Sequence, residues 1–228
     1  PLGQTHVDCI YDKGEFVSDH TVPVLNNDQV NEICTDKWMT YEIFSAFCPK
    51  TILVQNEAEF LEKLSEVESS IKVSKPIDGE EGRDVCIGDE AYLKKCKKEF
   101  PLLLQEFLDS RAGIPGIVQG IHDLRIVLCD GEIVSSFVRT PAKGGFRANV
   151  AQGGKLSILE LGKIPEEAKN IANLVDQKMA DFGTRLYGVD MALTAQGFKI
   201  IELNSRLALF ENSRGEVFRK FKEKLANS

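Results

Sequence analysis

Three oxygen-bearing side chains near the C-terminus fall into a pattern that could hold a cation. Tyr187–Asn204 reads as two strands around Ala195-Gln196-Gly197. With these three residues as a hairpin loop and Gly197 in the left-handed conformation, Thr194 faces Phe198, Ala192 faces Ile200 and Asp190 faces Glu202. Glu202 and Asn204 are two apart on a strand, so both leave the same face. Opposed carboxylates repel unless a cation sits between them. Two carboxylates and an amide oxygen suit Mg²⁺ held partly by phosphate oxygens. On spacing alone, the alternative is a half-exposed sheet face from which Glu202 and Asn204 point to water.

Two further clusters could bind anions. Lys75-Pro76 stands at a strand end before a loop carrying Gly79 and Gly82. Such a loop can turn backbone N–H groups toward a phosphate while the lysine supplies charge. The P-loop order is absent, and a tight turn with a solvated lysine remains the plainer alternative. Arg125, Arg139 and Arg147 accumulate around a glycine-rich stretch, Lys143–Gly154, that also holds Asn149. Guanidinium groups bind phosphate or carboxylate through paired N–H donors. Surface ion pairs with the many glutamates are the bland reading of the same residues.

The elements that must position these groups are a mixture of strands and helices. The pattern predicts a strand at 7–11 and a helix from Asn31 to Phe47, with Ile33, Trp38, Tyr41 and Phe44 on one face. Asn56 with Glu59 is a capping box opening a helix at 57–68. Strands follow at 71–76 and 84–87, then a helix from Asp89 to about Lys98 and an apolar strand at 102–108. Asp130-Gly131 predicts a tight hairpin between strands at 124–129 and 132–139. Pro165 suits the first turn of a helix running to about Phe182. Strands at 186–194 and 198–204 and a helix at 211–225 complete the chain. The fold class is α+β, with two lobes meeting near residues 105–110.

The 228 residues are 43% hydrophobic, enough for a sizeable core and against wholesale disorder. Acidic residues outnumber basic ones 35 to 28, the reverse of what a nucleic-acid coat requires. The sequence has neither a membrane-spanning apolar run nor a signal-peptide pattern at Pro1-Leu2-Gly3-Gln4. A start at Pro1 rather than Met is expected of a processed product or fragment. Six scattered cysteines without a CxxC pair argue against zinc and against a disulfide scaffold. They read as reduced thiols of a cytoplasmic protein.

In order, these segments resemble the ATP-grasp superfamily, and within it the carboxylate–amine ligases related to the ribosomal-protein glutamate ligase. Thr35-Asp36-Lys37-Trp38 is similar to the helix start whose lysine contacts phosphate, and Lys75-Pro76 with Gly79 and Gly82 to the second lysine and its loop. Gln105-Glu106-Phe107-Leu108 resembles the adenine-binding hinge. Asp123-Leu124-Arg125, Arg139, Phe146-Arg147-Ala148-Asn149 and Gln152-Gly153-Gly154 match the family's arginine series. Gly188-Val189-Asp190 and Ile201-Glu202-Leu203-Asn204-Ser205-Arg206 match its metal-binding end.

The resemblance implies an ATP-grasp fold with ATP between two lobes. Residues 1–50 would be a remnant of an N-terminal domain plus the leading helix, 51–107 the small lobe, and 108–228 the large lobe with the metal and substrate site. It implies ATP and Mg²⁺, with Mn²⁺ as a substitute, and an amide formed through an acyl phosphate. Lys37, Lys75, Gly79, Gly82 and residues 105–108 would hold ATP. Asp123 would reach the ribose, Arg147 with Asn149 phosphate, and Asp190, Glu202 and Asn204 the metal. Arg125, Arg139 and Arg206 would serve the substrate carboxylate and acyl phosphate. Partners would be small amino acids or peptides, with no nucleic acid or membrane, and self-association stays open. The chain departs from the family at Glu80, Glu81 and Asp84 in the loop, at Leu207-Ala208 in place of Pro-Gly, and in lacking most of the usual N-terminal domain. The rival readings are a regulatory or degenerate ATP-binding module and a kinase-like phosphoryl transferase.

Overall fold

The computed structural model describes residues 10–11, 24–79, 84–142, 145 and 153–207. The strand expected at 7–11 lies within it only as Ile10–Tyr11 (β1), which pairs in parallel with Val24–Leu25 (β2). The helix expected at 211–225 falls outside the described residues.

Two helices replace the single one expected from Asn31 to Phe47: Asp28–Thr35 (α1) and Lys37–Phe44 (α2), followed by a 3₁₀ turn at Ser45–Phe47. The break is chemical. Asp36 adopts ψ 105°, and its carboxylate accepts from the N–H groups of Trp38 and Met39, so it caps a new helix. Both helices pack on the large sheet, with Val30, Ile33, Cys34 and Phe44 in one cluster with Leu124, Met191 and Leu203.

The small lobe is a four-stranded antiparallel sheet. Its strands are Thr51–Val54 (β3), Lys72–Pro76 (β4), Cys86–Gly88 (β5) and Leu102–Glu106 (β6), in the order β3-β6-β4-β5. Glu57–Lys63 (α3) and Glu90–Lys95 (α4) cover it, capped by Asn56 and Asp89. Phe60, Leu64 and Leu93 meet Val54, Leu102 and Leu104 in a core of its own. Each such side chain contributes about 1.5–3 kcal/mol by leaving water. Both helices stop short of the expected ends, and β6 ends at Glu106 where the sequence turns polar. The short β3 carries no period long enough to read.

The large lobe is a five-stranded antiparallel sheet of Asp123–Cys129 (β7), Glu132–Thr140 (β8), Lys155–Ile158 (β9), Leu186–Thr194 (β10) and Gly197–Asn204 (β11). The strand order is β11-β10-β7-β8-β9, and Glu166–Met179 (α5) covers one face. The Asp130-Gly131 hairpin forms as expected, with φ 46° and 93°. Both values lie in the left-handed region that a type I′ turn demands, and glycine enters it without a Cβ clash.

The β10–β11 register corrects one expectation and preserves its consequence. The loop is Ala195-Gln196, so Thr194 faces Gly197 and Ala192 faces Lys199, one residue away from the expected pairing. A bulge between Asp190 and Met191 then absorbs the extra residue, and Asp190 faces Glu202 as expected.

The five described cysteines, Cys34, Cys48, Cys86, Cys96 and Cys129, are free thiols. Burial pushes Cys48 up to about 11 and Cys34 higher still. Among the described residues, no helix is long and apolar enough to cross a membrane.

Candidate active site

Alternation along antiparallel strands divides the large sheet by chemistry. Leu124, Ile126, Val189, Met191 and Leu203 face the core beneath α5 and the leading helices. The opposite face presents Asp123 and Arg125 on β7, Arg139 on β8, Asp190 on β10, and Glu202 and Asn204 on β11. The register aligns Glu202, Asp190, Arg125 and Phe137 as one row across four strands.

Asp190 is 1% exposed and sits at the centre of a charge network. Its carboxylate accepts a bidentate pair from Arg125, through Nε and Nη2, and a 2.7 Å bond from Nη2 of Arg139. Arg139 in turn grips Asp123, with Nε 3.0 Å from Oδ1 and Nη2 bonded to Oδ2. Burial opposes the charge on Asp190, but Arg125 and Arg139 outweigh it and hold the carboxyl below the usual range. Asp123 goes the other way: burial, with Asp190 adding to it, raises its carboxyl against the pull of Arg139. Both guanidinium groups also lie within 6 Å of the Phe137 ring, at 5.7 and 5.9 Å. Gly188 makes room for this arrangement, because a Cβ there would stand 3.0 Å from Arg125 Cδ.

The small lobe meets this face through Lys75, and the leading helix adds Lys37. Lys75, on β4, is only 7% exposed, and its Nζ donates to the Ile201 carbonyl of β11 at 3.4 Å. Lys37 opens α2, with its N–H donating to Ile77 O at 3.0 Å and its Nζ to Gly79 O at 2.8 Å. It thereby ties the leading helix to the loop after β4, where Gly79 has φ 119°. Burial lowers Lys75 to about 8, with Glu202 opposing that shift and Lys37 adding to it. Two cations and one carboxylate are thus within electrostatic reach of each other.

The sign of that shift gives a testable pH dependence. Folded Lys75 releases its proton near 8, whereas the unfolded side chain holds it to 10.5. Folding stability contributed by this group therefore rises with pH between those values and is flat below about 8. An anion needs the protonated form, so phosphate affinity moves oppositely. ATP binding to the wild type is expected to weaken about fivefold from pH 8 to 9, while Lys75→Arg stays flat. Parallel profiles for the two proteins in equilibrium titrations would remove Lys75 from the anion site.

Other expected residues fall as follows. The Gln105 side chain donates to Thr51 Oγ1 at 2.6 Å and so faces the sheet, not a ligand. Glu106 exchanges bonds with Lys50: its N–H donates to Lys50 O at 3.1 Å, and Oε2 accepts from Lys50 N at 3.2 Å. Phe107 and Leu108 are half-buried beyond the end of β6. Arg206 is exposed just past β11, and its N–H donates to Asn204 Oδ1 at 3.1 Å. Gly82, Arg147 and Asn149 lie outside the described residues.

Tyr11 was missed by sequence reasoning. Its hydroxyl donates to Ser205 O and accepts from Leu207 N at 3.2 Å, bracketing Arg206 and pinning the turn after the candidate metal ligands. No local pattern announces a contact 194 residues away in the chain.

The donor set fits a divalent cation in part. Glu202 and Asn204 supply hard oxygens from one strand face. Asp190 Oδ1 takes a bond from Arg125 Nε alone among the described residues, leaving one lone pair, while Oδ2 is occupied by both guanidiniums.

A small antiparallel lobe carrying Lys75 and facing a large antiparallel sheet that carries carboxylates and arginines, with Lys37 at the start of the helix between them, is the ATP-grasp architecture. Solved structures agree on the fold: D-alanyl-alanine synthetase A from Vibrio cholerae matches with TM-score 0.63 at 11% identity, over 88% of this chain and 64% of that one. The family model described as the ATP-grasp domain of prokaryotic glutathione synthetase matches residues 36–205, and the chain belongs to that family. Among curated relatives, a probable alpha-L-glutamate ligase of Shewanella halifaxensis is 30% identical over 58% of this chain and 27% of its own length. Another from Mannheimia succiniciproducens is 25% identical over 85% of this chain and 64% of its own. The chain thus spans from about a quarter to just under two thirds of these relatives.

Proposed function

We propose that this chain catalyses ATP-dependent ligation of a carboxylate to an amine. The observation that carries the reading is the row Glu202–Asp190–Arg125 on the large sheet, set opposite Lys37 and Lys75. The nucleotide would lie between the 51–107 lobe and the 108–228 lobe, with 1–50 leading into them and its base against residues 106–108. Lys75 and Lys37 neutralise phosphate oxygens. Glu202 and Asn204, joined by the remaining lone pair of Asp190, would hold Mg²⁺, or Mn²⁺ in its place. That ion would offset charge building on the phosphates. Arg139 and Arg125, fixed by Asp123 and Asp190, present guanidinium edges to substrate oxyanions.

The reaction has two steps. A substrate carboxylate oxygen attacks the γ-phosphorus, the bond to ADP breaks, and an acyl phosphate forms. The amine nitrogen then attacks the acyl carbon, the C–O bond to phosphate breaks, and phosphate and a proton leave. Related proteins named alpha-L-glutamate ligase and glutathione synthetase support small amino acid or peptide substrates.

A thermal-shift titration with ATP tests the first requirement. Ligand at 100 times its Kd should stabilise the fold by about 2.7 kcal/mol, and only with Mg²⁺ present. ADP release should then need both a carboxylate and an amine. Release without amine would make the chain a phosphoryl transferase, and binding without release a nucleotide-holding module.

A further inference from the structure

Tyr11 is remote in sequence from the charged face, yet its hydroxyl ends on the turn that follows Glu202 and Asn204. Its strand, β1, is held through the parallel partner β2. Just beyond β2, the buried Asn26 amide exchanges two bonds with the Leu186 backbone at the start of β10. Nδ2 donates to Leu186 O at 2.7 Å, and Oδ1 accepts from Leu186 N at 2.6 Å. The Tyr11 ring packs against the apolar cluster of Leu25, Val127, Leu186 and Leu207. A segment stitched to the strand of Asp190 thus carries the hydroxyl to the end of the strand of Glu202.

Three hydrogen bonds set the turn there. The hydroxyl donates to Ser205 O and accepts from Leu207 N at 3.2 Å, so it holds both peptide units flanking Arg206. Arg206 N donates to Asn204 Oδ1 at 3.1 Å, an Asx turn. Ser205 O and Arg206 N belong to one planar peptide unit. Tyr11 grips that plane by its carbonyl, and the Asn204 amide meets it at its N–H. Burial pushes the Tyr11 hydroxyl up to about 12, which keeps it a donor at any working pH.

We infer that Tyr11 is a positioning residue for the metal site, acting through the Ser205–Arg206 peptide plane to fix the orientation of the Asn204 amide. This deepens the ligase reading and rests on its metal assignment. Only the oxygen of an amide can serve a cation; a reversed amide presents N–H donors instead. The bond from Arg206 N occupies one lone pair of Oδ1 and leaves the other for the ion. Without the hydroxyl the plane is released, and that bond no longer selects the orientation. Glu202 and Asp190 need no such device, because a carboxylate offers oxygen either way round.

Calorimetric titration of the full chain with ATP, in saturating Mg²⁺ and again in chelator, tests this. The ratio of the two affinities measures how far the metal tightens binding. Tyr11→Phe keeps the ring in its cluster and removes the hydroxyl. The ratio should fall about threefold to tenfold, with metal-free affinity unchanged. A purely structural tyrosine would lower Tm and leave the ratio alone. Asn204→Asp supplies the second readout: its carboxylate needs no orienting, so adding Tyr11→Phe should not change the ratio in that background. An unchanged ratio in Tyr11→Phe, equal weakening with and without metal, or the same fall in the Asn204→Asp background would each overturn the inference. No effect of Mg²⁺ on the wild type would sink the metal assignment and the inference together. A strong Mg²⁺ effect that ignores Tyr11→Phe would sink the inference alone.

Discussion

Asp190→Ala is expected to destabilise the chain by about 3–5 kcal/mol, because it leaves the buried Arg125 guanidinium without its paired carboxylate. Arg125 is buried with Asp190 as its paired carboxylate, while Arg139 keeps Asp123. Such a loss is a large share of the 5–15 kcal/mol that holds a typical protein folded. For a chain of this size it should lower Tm by about 6–20 °C. The double variant Asp190→Leu with Arg125→Met should recover much of the deficit, since removing both partners strands no charge. Denaturant or thermal unfolding of the three proteins decides it. A cost below about 1 kcal/mol for Asp190→Ala would mean that water reaches the network and screens it.

Glu202→Ala should have the opposite profile, with little effect on folding and a severe effect on ligand binding. The residue is half-buried on a strand face and adjoins Lys75, whose ammonium it favours. Its loss removes a proposed metal ligand and pushes Lys75 further toward the neutral amine. The Mg²⁺-dependent part of ATP stabilisation should vanish, and turnover should fall by about 10²–10³-fold. Chelation of the metal in the wild type should copy the variant. Unchanged MgATP affinity in Glu202→Ala would overturn the metal assignment.

Asp190 and Glu202 show how far the sequence reaches. Their facing positions follow from hairpin periodicity, and the bulge at Asp190 corrected an error in the expected loop without disturbing that pair. The Asp130-Gly131 turn, the caps at Asn56 and Asp89, and most strands were legible for the same reason: each depends on a few adjacent residues. The apolar period on either side of Asp36 suggested one continuous helix, although the residue's type is that of a cap and the family resemblance already marked Thr35–Trp38 as a helix start.

The sequence by itself determined an α+β chain, its hairpins, and the membership of the charged face, since alternation assigns each strand residue to a side. Only the tertiary structure decided what those charges do to one another. Arg125 and Asp190 are 65 positions apart, and their pairing arises because β10 lies beside β7 and not beside β9, the strand that precedes it in sequence. The same holds for Tyr11 on the Ser205 turn and for Lys75 against β11. Strand periodicity fixes faces locally, whereas contacts across lobes depend on how whole sheets and helices bury their apolar sides together.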